Sequence, residues 1–179
     1  MTRKRAEWGK SNPAATLYVP LDTLIDDHPE YSWPLVFAEA GLSQIQMRWR
    51  RWLAPNTNKT PRISPIVHGS VLWVLGYDQF EWPLGMIELE GMDTPAALTF
   101  DMQGVVDYAE QKGVSLRELA RRGGVSLNQV RTFLDPRKNK LALAGWNAHT
   151  LGSVMAVLGL RPSPPFVLIV HYRKEETND

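Results

Sequence analysis

An internal repeat constrains the fold more than any other feature of the sequence. The segment GLSQIQMR, Gly41 to Arg48, aligns with GVSLNQVR, Gly124 to Arg131, at an offset of 83 residues and with identical Gly, Ser, Gln and Arg. Two further pairs of segments align at this offset, SVLWVLGY with SVMAVLGL (70–77 and 153–160) and LGMIEL with VLIVHY (84–89 and 167–172). Segments that recur in the same order and spacing indicate two copies of one structural unit.

The repeat divides the chain into two halves and an N-terminal arm. Residues 15–92 are predicted to form the first half, and residues 93–179 the second half, which ends in a strand and a polar tail. The segment ATLYV near the start of the first half corresponds to AALTF in the second, so each half is predicted to run strand, helices, strand. Residues 1–14 are interpreted as a basic arm that enters a minor groove, or equally as an unstructured solubilising terminus.

Composition excludes several classes of protein. Hydrophobic residues make up 44% and charged residues 22% of the 179 residues, which is enough for a globular core. A chain without cysteine forms neither disulfides nor a cysteine-based zinc site. No apolar run reaches the length of a membrane helix, and no apolar segment follows the basic N-terminus. We therefore expect a cytoplasmic protein with no membrane partner.

The sequence offers no catalytic or metal-binding pattern. The histidines form no ligand pair at helical spacing, and neither a Walker phosphate loop nor a nucleophile elbow occurs. We expect no enzyme activity, no metal and no cofactor, with each histidine either on the surface or hydrogen-bonded in the core. The four residues are His28, His68, His149 and His171.

Basic residues are clustered although the net charge is only +1. The first basic block is Arg48, Arg50, Arg51, Lys59 and Arg62. The second basic block is Arg117, Arg121, Arg122, Arg131, Arg137, Lys138 and Lys140. A basic patch attracts a polyanion even when the net charge is near zero. The same residues also fit solvated helix faces followed by polar loops.

Local signals in the second half predict two helices joined by a tight turn. Ser115 and Ser126 each stand at an N-cap position, and Glu118 follows Ser115 by three residues as in a capping box. Gly123 and Gly124 provide the break between the helices, because glycine adopts the left-handed conformation that ends a helix.

The second of these helices is predicted to be amphipathic. Val130 and Phe133 or Leu134 share one face at helical spacing, and hydrogen-bonding side chains occupy the other faces. The pair Asp135-Pro136 ends the helix. The segment HTLGSVMAVLGL then predicts an apolar helix that ends at Gly159, and PPFVLIVHY predicts a strand.

These elements resemble the lambda-repressor-like, or Cro/cI-type, helix-turn-helix family. The resemblance is carried by Leu119-Ala120 in the second helix of the motif, Gly124-Val125-Ser126 at the turn, and Leu158-Gly159 at the end of a later helix. The strand that follows is similar to that of antitoxin-type members. The resemblance covers about the last 75 residues and reaches the first half through the repeat. It implies a mainly α fold with two tandem helix-turn-helix domains, each flanked by short β-strands.

The resemblance also implies which residues of the second half contact double-stranded DNA. The helix that begins at Ser126 would enter the major groove, with base readers on its exposed side. These readers are Asn128, Gln129 and Arg131, and the phosphate contacts in the following loop are Arg137, Lys138 and Lys140. Ordinary polar surface is the alternative interpretation of Asn128 and Gln129.

The corresponding helix of the first half departs further from the family. Its candidate DNA-binding residues are Gln44, Gln46, Arg48, Arg50 and Arg51. Trp49 and Trp52 are interleaved with them, and Trp52 is assigned to the core because tryptophans at this spacing more often anchor packing. Phe37 stands where the family has a small residue at a helix crossing, so the first half is expected to pack differently. In the second half, Gly123 replaces an apolar residue of the family pattern.

Two functions fit the tandem arrangement. The first is a transcriptional regulator, most simply a repressor, whose two units read an imperfect palindrome with half-sites ~34 Å apart. The flanking strands are expected to pair between the halves, and homodimerisation through an apolar edge such as FVLIVHY is the competing outcome. The alternative is a protein-interaction module of antitoxin or anti-activator type. Its partner would be anchored by Trp49, Trp73, Trp82 or Trp146.

Overall fold

The structure, a computed structural model, describes seven stretches of the chain. These are residues 13–42, 62–77, 79–82, 85–90, 97–98, 101–135 and 146–171. Only the backbone is described for residues 79–82, 85–90 and 97. Helices dominate the regular structure and the strands are short, so the mainly α fold class is confirmed.

The elements are numbered here in chain order. The helices of the described residues are α1 (Leu21–Asp26), α2 (Trp33–Glu39), α3 (Pro65–Val74), α4 (Met102–Gln111), α5 (Leu116–Gly123), α6 (Leu127–Phe133) and α7 (Ala148–Leu158). The strands are β1 (Ala15–Tyr18), β2 (Arg62–Ile63), β3 (Gln79–Trp82), β4 (Gly85–Glu90), β5 (Ala97–Leu98), β6 (Trp146–Asn147) and β7 (Val167–Val170). No helix among these is both long and apolar enough to span a membrane.

Equivalent backbone features recur at the offset of 83 residues. Two pairs of N-cap residues are related in this way, Ser32 with Ser115 and Ser64 with Asn147. Two pairs of left-handed glycines are also related, Gly41 with Gly124 and Gly76 with Gly159. The repeat in the sequence therefore corresponds to a repeat of helix starts and helix ends.

Strands at the start of each half pair with the other half. β1 runs antiparallel to β7, with Ala15 opposite Val170. β5, from the second half, runs antiparallel to β4 of the first half, with Leu98 opposite Leu89. The expectation that the flanking strands pair between the halves is confirmed by both ladders. β4 also pairs with β3, a strand that the sequence did not predict.

β1 lies directly on α7 of the second half. A Cβ atom at Gly152 would stand 2.5 Å from the backbone N of Leu17, so only glycine allows this approach. The Ser153 hydroxyl donates to the backbone O of Ala15 at 3.2 Å. The backbone N–H of Ala14, which precedes β1, donates to the O of Gly123 at the end of α5 at 2.8 Å.

One hydrophobic cluster spans both halves. Its fully buried members include Leu17, Val36, Val71, Leu119 and Leu151, which come from β1, α2, α3, α5 and α7. Burial of each such side chain contributes about 1.5–3 kcal/mol to folding. Because all these side chains belong to one cluster, the two halves share a core.

His68 has surroundings that differ from those of His149 and His171, which both contact Thr16 of β1. His68 is buried in α3, with Nδ1 3.0 Å from the backbone N and O of Ser64. Burial lowers the pKa of His68 to about 4, so its imidazole is neutral at pH 7. The Thr16 hydroxyl lies 2.7 Å from His149 Nδ1 and 2.7 Å from His171 Nε2. The pKa of His149 is lowered by burial and by the nearby His171.

Candidate nucleic-acid interface

The candidate interface begins at α5, which is capped at Ser115. The Ser115 hydroxyl accepts a hydrogen bond from the backbone N–H of Glu118 at 3.2 Å. The Glu118 carboxylate does not complete the expected capping box, because it accepts from Arg121 Nε at 2.9 Å and from Arg121 Nη2 at 2.6 Å. This hydrogen bond from Arg121 lowers the pKa of Glu118. Both side chains are solvent-accessible, so the pair contributes little to stability.

The turn between α5 and α6 depends on two adjacent glycines with different roles. Gly124 has φ of 63°, the left-handed conformation that ends the helix. The backbone N–H of Val125 closes the turn by donating to the O of Ala120 at 3.1 Å. Gly123 is the last residue of α5, and a Cβ there would lie 3.1 Å from the Cβ of Ser153. Gly123 therefore lies where α5 packs closely on α7.

α6 begins with a complete capping box. The Ser126 hydroxyl accepts from the backbone N–H of Gln129 at 3.1 Å, and the Ser126 backbone N–H donates to Gln129 Oε1 at 2.8 Å. Bidentate recognition of adenine uses both the oxygen and the nitrogen of a side-chain amide. Such recognition by Gln129 would therefore compete with its cap.

α6 buries one face and exposes the other. Val130 and Phe133 are buried against the core, as the predicted apolar face requires. Asn128, Arg131 and Thr132 are exposed. These side chains of α6 are placed to contact a ligand outside the protein without disturbing the helix cap.

The described part of the second basic block is wholly exposed. It comprises Arg117, Arg121 and Arg122 on α5 and Arg131 on α6. Arg131 lies in the last turn of α6, where a cation interacts favourably with the helix dipole. The exposed arginines give these two helices a positively charged surface. Such a surface attracts the phosphates of a nucleic acid.

A cleft of 260 Å³ separates α6 from the β2–β6 ladder. Its lining residues are Arg62, Asn128, Gln129, Thr132, Phe133, Trp146, Asn147 and Thr150. The cleft therefore brings an arginine of the first half beside the exposed side of α6. Thr150 is buried on its wall, and the hydroxyl of Thr150 has no hydrogen-bond partner among the described residues.

Eight of the twelve predicted DNA-binding residues lie outside the described residues. They are Gln44, Gln46, Arg48, Arg50 and Arg51 of the first half, and Arg137, Lys138 and Lys140 of the second. The structure describes the other four predicted residues, Ser126 at the N-cap of α6 and Asn128, Gln129 and Arg131 within the helix. Their assignment to DNA stays a prediction.

The structure also describes two of the proposed tryptophan anchors. Trp146 is buried in β6 and is therefore not an exposed anchor for a protein partner, which corrects that expectation. Trp73 on α3 is 43% exposed and still fits that role. Phe37 is buried and packs on Trp33 with a centroid distance of 5.6 Å. The first half thus accommodates a phenyl ring at the position equivalent to Ala120 of the second half.

Sequence reasoning missed the positions of Arg62 and Thr132 in the cleft. Arg62 belonged to the first basic block, but nothing in its own segment relates it to α6. Its position depends on the pairing of β2 with β6, which are two residues long and too short to show a period in the sequence. The spacing of α6 offered a signal for Thr132, which lies four residues after Asn128 on the same side of the helix.

In the described residues, no group of three or more His, Cys, Asp or Glu is arranged to hold a metal ion. No protein-family model matches this chain, and neither a curated protein nor a solved structure gives a significant match.

Proposed function

We propose that this protein is a sequence-specific DNA-binding transcriptional regulator, most simply a repressor. In this proposal each half is a helix-turn-helix unit, and the single chain acts as a linked analogue of a dimer. The observation that carries the proposal is the α5–turn–α6 segment, whose second helix presents Asn128 and Arg131 to solvent beside an arginine-rich surface. Asparagine recognises adenine and arginine recognises guanine through paired hydrogen bonds in the major groove.

The arrangement of the two halves supports the linked-dimer part of the proposal. N-caps and left-handed glycines recur at one offset, and the strands β1 and β5 pair with the opposite half. Such an exchange gives two related units a fixed geometry within one chain. Two recognition helices held in this way suit half-sites one helical turn apart, about 34 Å. Because the two units differ in sequence, the operator is an imperfect palindrome.

Selection of bound sequences from random duplex DNA tests the proposal. We expect enrichment of one sequence with two related, non-identical half-sites. Enrichment of a single half-site would limit the function to one unit. Binding to DNA without any enriched sequence would contradict sequence-specific regulation.

Variants of α6 then test the assignment of its residues. Arg131→Ala is expected to weaken binding to the selected operator by roughly 1–3 kcal/mol and to relax the preference at one base pair. Lys138→Ala is expected to lower affinity for the operator and for scrambled DNA alike, since phosphate contacts carry no sequence information. Arg161→Ala, an exposed arginine beyond α7, serves as the matched control. Equal losses on both DNAs from Arg131→Ala would contradict base reading.

A second candidate function is a protein-interaction module of antitoxin or anti-activator type. It is favoured by large apolar side chains on the first half, since Leu35 is 41% and Trp73 is 43% exposed. Exposed aromatic anchors are typical of binding hot spots. This function predicts that the random-DNA selection enriches nothing and that Trp73→Ala abolishes binding to a protein partner without altering thermal stability.

A homodimer that forms through the terminal strands is also compatible with either proposed function. One edge of β7 is occupied by β1 of the same chain. A second copy would have to use the other edge, where Val167, Ile169 and Val170 are exposed. Sedimentation velocity at increasing protein concentration distinguishes a monomer that carries two units from a dimer that carries four.

A further inference from the structure

The β2–β6 ladder pairs equivalent residues of the two halves. Ile63 pairs with Trp146 in an antiparallel ladder, and these residues are separated by the repeat offset of 83. Each directly precedes the N-cap of an equivalent helix, Ser64 before α3 and Asn147 before α7. An antiparallel pair of equivalent residues has a local two-fold axis through its centre. A local two-fold axis that relates these two equivalent segments therefore passes beside Ile63 and Trp146.

Arg62 stands next to this axis and on the side of the protein that carries α6. It precedes Ile63, lies opposite Asn147 and is exposed. The same cleft is lined by Arg62 and by Asn128 and Thr132, which are exposed on α6. A surface that approaches the exposed side of α6 therefore meets Arg62 as well.

We propose that Arg62 enters the minor groove at the centre of the operator and makes the protein select A·T base pairs there. This inference rests on the proposed function. When two helices occupy major grooves one helical turn apart on one face of B-DNA, the groove that faces the protein midway between them is the minor groove. Narrow A·T-rich minor grooves have an enhanced negative potential, which attracts an inserted arginine.

The arrangement is asymmetric, which sharpens the inference. The residue equivalent to Arg62 in the second half is Gly145, at the offset of 83. A symmetric dimer would present two cations to the axis, whereas this chain presents one at this position. Because Arg62 directly precedes the Ile63–Trp146 pair, the A·T preference falls at the central step of the operator.

Three duplexes that differ only at this central step test the proposal. One carries A·T pairs, one carries G·C pairs, and one carries inosine·cytosine pairs. Inosine lacks the 2-amino group of guanine, so inosine·cytosine resembles A·T in the minor groove and G·C in the major groove. We expect the wild-type protein to bind the G·C duplex about tenfold more weakly and the inosine duplex almost as tightly as the A·T duplex.

Arg62→Ala is expected to bind all three duplexes with equal affinity. Asn128→Ala, in the same cleft, should bind each more weakly but retain the tenfold ratio. Ratios between duplexes are measured with one protein preparation, so a partly unfolded variant cannot mimic either pattern. Arg161→Ala should retain both the affinity and the ratio.

Two results would overturn the inference while leaving the proposed function intact. One is a wild-type protein that binds a selected operator but does not distinguish the three duplexes. The other is a tenfold ratio that survives in Arg62→Ala with a uniform loss of affinity, which would make Arg62 a phosphate contact. If the random selection yields no operator at all, the proposed function fails and this inference fails with it.

Discussion

The two halves share helix starts and helix ends but fill the space between them differently. In the second half Ala120 and Gly123 are small residues on the buried side of α5. At the equivalent positions of the first half, Phe37 on α2 and Ala40 at its C-cap are buried. A phenyl ring thus replaces a methyl group between equivalent helix caps. This repeat is therefore preserved in its caps and left-handed glycines more than in the identity of its core residues.

The halves also differ in how well their caps are made. The Ser115 hydroxyl accepts a backbone hydrogen bond, whereas the side chain of the equivalent Ser32 makes no cap hydrogen bond. Conversely, the first half buries the polar His68 where the second half has Leu151. The two halves therefore differ in helix capping and in core polarity. Substitutions at equivalent positions measure how much each difference contributes to stability.

The largest effect is expected from Phe37→Ala. Removal of a buried phenyl ring leaves a cavity, so the free energy of unfolding should fall by about 4 kcal/mol in urea denaturation. Phe37→Leu, which retains much of the apolar volume, should lose much less. A loss under about 0.5 kcal/mol from Phe37→Ala would show that this position of the first half is not part of the core.

The next effect concerns His68 and pH. The pKa of His68 is about 4 in the folded protein, below the ordinary value of 6.5, because burial disfavours the charged ring. The unfolded chain therefore binds more protons between these values, and stability is lost as pH falls from about 6.5 toward 4. We expect this loss to be about 3 kcal/mol larger in the wild type than in His68→Leu.

Urea denaturation of the wild type and of His68→Leu at pH 7.5, 5.5 and 4 measures this difference. The substitution places in α3 the residue that the second half has at the equivalent position, Leu151. Parallel pH profiles for the two proteins would show that the His68 ring is not buried and neutral.

Gly152→Ala tests the contact between β1 and α7. A Cβ atom there would meet the backbone of Thr16 and Leu17 at 2.5–2.7 Å, and a backbone cannot move aside cheaply. We expect a loss of about 2 kcal/mol from overpacking. Ala156→Gly, in the same helix, is the control and should cost about 0.5–1 kcal/mol through backbone entropy alone. An increase in stability from Gly152→Ala would mean that β1 does not lie on α7.

The smallest effect compares the helix caps of the two halves. Ser115→Ala should lose about 1 kcal/mol, because the backbone N–H of Glu118 then lacks its acceptor. Ser32→Ala should change stability by only a few tenths of a kcal/mol, since its hydroxyl makes no cap hydrogen bond. Thermal melts of both variants measure the difference. Equal losses would indicate that the two caps are equivalent after all.

Local signals in the sequence were sufficient to predict α5, the turn, α6 and α7. Serine N-caps, the left-handed Gly124 and Gly159, and the apolar spacing of Val130 and Phe133 each act within one or two turns of helix. The structure confirms these predictions because neighbouring residues alone determine such features. The strand β7 was also predicted, from its β-branched and apolar run.

Features that depend on distant parts of the chain were not predicted. The β2–β6 ladder joins segments of two residues each, and such segments carry no periodic signal. The capping role of Gln129 was missed because its residue type fits a helix cap and a base reader equally well. The position of Arg62 beside α6 follows from the ladder, so it required the tertiary structure. The sequence did predict that strands pair between the halves, but it did not predict which residues of those strands lie opposite each other.

The salt dependence of binding shows whether both linked units contact DNA. Affinity for the selected operator is measured against salt for the wild type and two triple variants. The first variant changes Arg48, Arg50 and Arg51 to Ala, and the second changes Arg137, Lys138 and Lys140 to Ala. The logarithm of affinity falls with the logarithm of salt by about 0.9 per phosphate neutralised.

Two linked units predict that each triple variant loses a comparable part of the slope, up to about 2.7 if all three residues neutralise phosphates. Each should also lose more affinity than its own contacts supply, because the remaining unit binds without the effective concentration that the linkage provides. A first triple variant with the slope and affinity of the wild type would contradict the account, since the first half would then not contact DNA.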